Sequence, residues 1–181
     1  KQKGGQFNLK SSSFQLGESG DAVMYVAGGT NTMRYNATQG SECMRMGTAE
    51  YGSATLAITG SNTVFDADCL VVGTSHTPQT NVVSVMNGGT FLASRFYQAS
   101  GDTWPFTNNF NVVSVDGGVM YPTFGWGWDH KGGSNDTRDF HKWVLHEHGM
   151  ILDTSMCQNG DRTAAAPHDN PFNFCDATGK G

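Results

Sequence analysis

Glycine corners recur along this chain at a nearly constant spacing, and that recurrence limits its folds more than any other feature. The corners are Gly4-Gly5, Gly28-Gly29, Gly60-Ser61, Gly88-Gly89, Gly117-Gly118 and His148-Gly149. Their first members lie 24, 32, 28, 29 and 31 residues apart, a period close to 30. A fixed period of this length is the signature of stacked supersecondary units.

Each corner from Gly28-Gly29 onward follows a short alternating apolar stretch: Val23-Met24-Tyr25-Val26, Thr55-Leu56-Ala57-Ile58, Val82-Val83-Ser84-Val85, Val112-Val113-Ser114-Val115 and Trp143-Val144-Leu145. Three units also close on an apolar-x-apolar-Gly element: Phe14-Gln15-Leu16-Gly17, Met44-Arg45-Met46-Gly47 and Leu70-Val71-Val72-Gly73. Alternation with period 2 turns one face of a strand inward. Glycine supplies the positive φ that a sharp bend demands. A unit of three such strands cannot bury its inner face alone, but stacked units bury it on one another.

The expected fold is therefore all-β: a parallel β-helix, or β-solenoid, of five to six degenerate coils spanning residues 1–155. An irregular C-terminal cap or loop, 156–181, follows. Residues 99–109 and 129–141 read as insertions bulging from a corner. An antiparallel β-sandwich uses similar short strands and is the alternative. The chain opens in mid-pattern at Lys1, without an initiator Met, which reads as excision from something longer. A solenoid also exposes strand edges at its ends, and residues 1–10 carry no evident cap. That predicts continuation into further repeats of a parent chain or docking onto other protein chains.

Composition narrows the function. The chain has 181 residues, a net charge of -5 and no clustered basic surface, which argues against a nucleic-acid partner. No stretch is long and apolar enough for a transmembrane helix. Cys43 and Cys69 each stand four residues before a closing glycine. In a parallel stack they would lie about 4.8 Å apart, within disulfide reach. Pairing Cys43–Cys69 leaves Cys157–Cys175 to close the C-terminal loop; four free buried thiols are the alternative. The even count, and the lack of Cys-x-x-Cys spacing, point to an extracellular, cell-surface or other oxidising compartment. Asn36 and Asn135 begin glycosylation sequons.

The segments VVSVMNGGTF, NVVSVDGGVM and MRMGTAEYGSATLAITGSNTVF resemble the degenerate repeats of autotransporter passengers and related bacterial surface β-helix proteins. The resemblance covers roughly residues 4–154. It implies a fold and an extracellular habit, and no activity.

Three places could carry chemistry. His146 and His148 share a strand face, and both imidazoles could reach one metal ion, with Asp129, His130 or His141 completing the shell; a polar turn is the other reading. Asp66 and Asp68 also share a face, as glycosidase carboxylates or Ca²⁺ ligands could, or as plain solvated residues. Phe124, Trp126 and Trp128 alternate with glycines, with Trp104 and Trp143 nearby. They form either a platform for sugar rings or a layer of core. No nucleophile elbow, phosphate loop or dinucleotide fingerprint is present, and no catalytic residue or cofactor is assigned. The leading expectation is a non-enzymatic structural or adhesive repeat protein, or a subunit of a larger assembly. A carbohydrate-binding module and a β-helix polysaccharide lyase or hydrolase are the alternatives.

Overall fold

The computed structural model describes residues 2–3, 5–9, 14–33, 44–47, 52–67, 69–73, 79–93, 95–98, 109–122 and 142–153. Fourteen strands account for most of them, and no helix occurs among the described residues. In chain order they are β1 (Gln2–Lys3), β2 (Gln6–Leu9), β3 (Phe14–Leu16), β4 (Ala22–Met33), β5 (Met44–Met46), β6 (Ala54–Asp66) and β7 (Cys69–Val72). There follow β8 (Gln79–Met86), β9 (Thr90–Ala93), β10 (Arg95–Gln98), β11 (Asn109–Asp116), β12 (Gly118–Pro122), β13 (Lys142–Leu145) and β14 (Met150–Leu152).

Every paired strand among the described residues runs parallel to its neighbour. The antiparallel sandwich is thereby excluded; the antiparallel contact that does occur is an isolated bridge, Met86 to Gly117. Paired residues stand between 24 apart, as in Gln2↔Val26, and 34 apart, as in Gly29↔Thr63. Parallel neighbours need a long crossover, and here the intervening chain supplies the strands of the other sheet. Ten strands form one sheet, along the path β13-β11-β8-β6-β9-β12-β14 with β4 beside β6 and β1 and β2 beside β4. The other four form a second sheet in the order β10-β7-β5-β3.

β6 explains why one sheet turns a corner. Its first half pairs with β8 and its second half with β9, so a single long strand spans what later segments split in two. The split falls at the glycine corners. Between β8 and β9, Asn87 (φ 53°) and Gly88 (φ 76°) both take the left-handed conformation and the Gly89 N–H donates to the Met86 carbonyl at 3.0 Å, as in a type I′ turn. Successive corners are tied by backbone bonds: the Gly88 N–H donates to the Gly117 carbonyl at 2.7 Å, and the Gly117 N–H to the Gly149 carbonyl at 2.8 Å.

Register sorts the interior into columns. Leu56, Val83 and Val113 lie side by side, as do Val26, Ile58, Val85 and Val115, all at 2% exposure or less. Met44 and Leu70 continue to Phe96 on the second sheet. Phe91 bridges the two sheets: its ring lies 6.3 Å from Phe65 in a stacked pair and 5.0 Å from Phe96 edge to face. Each such buried side chain contributes about 1.5–3 kcal/mol. Trp143, which the sequence left to a sugar platform or a layer of core, packs edge-on to Phe96 at 6.4 Å and against the core.

Candidate functional site

The polar group closest to a site lies where β11 ends and the turn after β13 begins. Ser114 and Asp116 are two apart on β11, so they share its outward face. β13 pairs with β11 in the register Ser114↔Val144 and Val115↔Leu145. The chain then leaves the strand, and His146 and His148 fold back over the two β11 residues. Ser114 Oγ and His146 Nε2 are 2.9 Å apart. His148 grips Asp116 Oδ1 twice, through its backbone N–H at 3.1 Å and through Nδ1 at 2.7 Å. An ionised carboxylate only accepts, so Nδ1 of His148 carries the proton in that bond.

These hydrogen bonds hold the Asp116 carboxyl below its ordinary pKa of 3.8, the His148 side chain first and its backbone N–H second. The surroundings are wet: the side chains of His148 and Asp116 are 69% and 36% exposed. Asp116 orients His148, whereas Ser114 meets His146, so no serine–histidine–aspartate relay forms. The two imidazoles also have different partners, and no group of three His, Cys, Asp or Glu side chains among the described residues could hold a metal ion. Asp129, His130 and His141, offered as completing ligands, lie outside the described residues. The arrangement works as a polar clasp between neighbouring strands.

Other sequence-flagged residues divide clearly. Cys69 is 1% exposed and disulfide-bonded, while Cys43, Cys157 and Cys175 lie outside the described residues. Asp66 is half-buried on β6, in register with Thr32 and Leu92; Asp68 lies outside. So do Trp104, Phe124, Trp126 and Trp128, and the sequon residues Asn36 and Asn135.

Sequence reasoning missed an inward polar column. Asn81 and Asn111 are both at 0% exposure and directly opposite in register. Asn81 donates from Nδ2 to Asn111 Oδ1 at 2.9 Å and accepts at Oδ1 from the Ala54 N–H at 3.0 Å. In a different column, in register with Phe65, Asn31 is 1% exposed and donates from Nδ2 to the Gly29 and Val64 carbonyls. The signal was present in the recurrence of Asn-Val-Val-Ser-Val at 81–85 and 111–115. The column also explains the closing glycines. A Cβ on Gly47 would collide with Asn81 Oδ1, and one on Gly73 with Asn111 Nδ2.

No protein-family model, curated protein or solved structure matches this chain.

Proposed function

We propose that the chain is a stretch of parallel β-solenoid with a structural or adhesive role outside the cell, built to supply rigid length and to join a larger assembly. The observation that carries this reading is the continuity of the inward columns. Val26, Ile58, Val85 and Val115 follow one another at 2% exposure or less, and the column reaches the last paired strand at Leu145, 58% exposed. The column starts on Gln2 of β1 and is apolar from Val26 to Leu145; an apolar column that ends on an exposed leucine suits a module built of stacked units. The polar clasp at 114–148 fits the same role, because its groups are spent on one another. The disulfide at Cys69 supports an oxidising compartment.

The experiment is small-angle scattering on the purified chain alongside glycan assays. A rod lengthening by about 4.8 Å per coil, inert toward polysaccharides, is the expected result. New reducing ends, or unsaturated products absorbing in the ultraviolet, would overturn it in favour of a β-helix enzyme. Tryptophan quenching by a soluble glycan, lost in Trp126→Ala, would overturn it in favour of a carbohydrate-binding module.

A further inference from the structure

We propose that Asn87-Gly88 is a modification site: a place of spontaneous deamidation that the strands on either side hold shut while they stay packed. One corner of the fold carries this, independently of the structural or adhesive role above.

The chemistry belongs to the dipeptide. The backbone nitrogen that follows an asparagine can attack the side-chain carbonyl carbon, forming a five-membered succinimide. One C–N bond forms, another breaks, and the proton of the attacking N–H leaves with the expelled ammonia. Water then opens the ring to aspartate or isoaspartate. Water is the only co-reactant, and this reactivity is one reason asparagine counts as thermolabile. Gly88 places no side chain in the way of the attack. Asn87 lies exposed between β8 and β9, so water and base reach it.

Two movements are needed, and the structure ties both. The Gly88 nitrogen must lose its proton, yet its N–H donates to the Gly117 carbonyl at 2.7 Å. The Asn87 amide must fold back over its own main chain, yet Nδ2 donates to Thr59 Oγ1 at 3.1 Å. Gly117 stands between β11 and β12, and Thr59 lies on β6, so one tie comes from each side of the corner. The turn itself is also fixed. The Asn87 N–H donates to the Asp116 carbonyl at 2.9 Å, and the Gly89 N–H to the Met86 carbonyl at 3.0 Å.

Succinimide formation therefore waits until the corner parts from its neighbours. Local opening of this kind has its own free energy, below that of global unfolding. The change is one-way, because the ammonia is lost. Isoaspartate also lengthens the main chain by one methylene, so the turn cannot reclose on the same bonds. Product at Asn87 counts past openings of this corner.

The test incubates the full chain in mildly alkaline buffer, native and unfolded in urea, and follows conversion by peptide mapping with mass spectrometry. Mapping separates Asn87 from Asn159, which also precedes a glycine. Native Asn87 should convert roughly tenfold or more slowly than in the unfolded chain. Thr59→Val removes the acceptor with little change of shape, and should speed native conversion roughly fivefold. Asn81→Ala weakens the interior away from the corner, and should speed it less. Equal rates in the native and unfolded chains would overturn the proposal, as would a Thr59→Val chain that converts no faster. Asn81→Ala outpacing Thr59→Val would also overturn it, by showing that Asn87 reacts only when the whole chain unfolds.

Discussion

Asn81 Nδ2 donates to Asn111 Oδ1 across 2.9 Å in a part of the interior where neither residue is exposed at all. A buried amide is tolerated only when its hydrogen-bonding groups find partners. Here the parallel register supplies one, because residues 30 apart sit one strand spacing from each other. Truncation should therefore cost more than lost packing. Asn81→Ala strands the Ala54 N–H and breaks the Asn pair, a loss of about 2–3 kcal/mol. Urea unfolding of the single mutants and of the Asn81→Ala/Asn111→Ala double mutant checks this: the double should cost clearly less than the sum.

Glycines 47 and 73 answer to that column. Both have positive φ, 61° and 73°, and both face an amide where a methyl group would go. Gly47→Ala and Gly73→Ala should each cost about 2–4 kcal/mol from strain and overpacking together. The melting temperature should drop by roughly 5–15 °C. Gly20, with nothing within 4 Å of an added Cβ, is the control, and Gly20→Ala should be close to neutral.

Phe91 touches rings on both sheets, Phe65 on one and Phe96 on the other. Phe91→Ala should cost about 3–5 kcal/mol, and Phe91→Leu markedly less. Equal losses for the two would show that the bridge between sheets does not depend on filling that volume.

Acid should loosen the clasp at β11. The Asp116 carboxyl has its pKa lowered in the folded chain, so the folded state binds that proton less readily than the unfolded one. Its stabilising contribution is complete above the ordinary 3.8 and is lost as pH falls through the lower folded value. Asp116→Asn should flatten stability against pH in that acid range, with a small cost at neutral pH that vanishes in acid, since exposed pairs contribute little. Carboxyl chemical shifts followed through an acid titration report the folded value directly.

The partner of Cys69 is open to a simple assay. β5 and β7 pair as Met44↔Leu70, the same 26-residue separation as Cys43 and Cys69. Peptide mapping without reduction should recover Cys43 joined to Cys69. Recovery of Cys69 with Cys157 or Cys175 would reject that pairing.

The alternation of Val82-Val83-Ser84-Val85 and its counterparts, with glycine corners between, made an all-β chain of short strands legible from residue order alone. Such patterns are local, and backbone geometry translates them directly. The antiparallel alternative survived until register was known, because strand grammar carries no sign for direction. His146 and His148 read as a pair because i and i+2 share a face, yet each found its own partner one strand away.

What the sequence determined by itself was therefore the strand character and the placing of the glycine bends, both set within a few residues of chain. Only the tertiary structure decided that Asn81 would lie on Asn111, that Gly47 and Gly73 would make room for that column, that Trp143 would pack against the core, and that Leu145 would end its column uncovered. Each depends on which residues register brings side by side across some 24 to 34 positions, and a difference of one residue would turn every side chain to the opposite face.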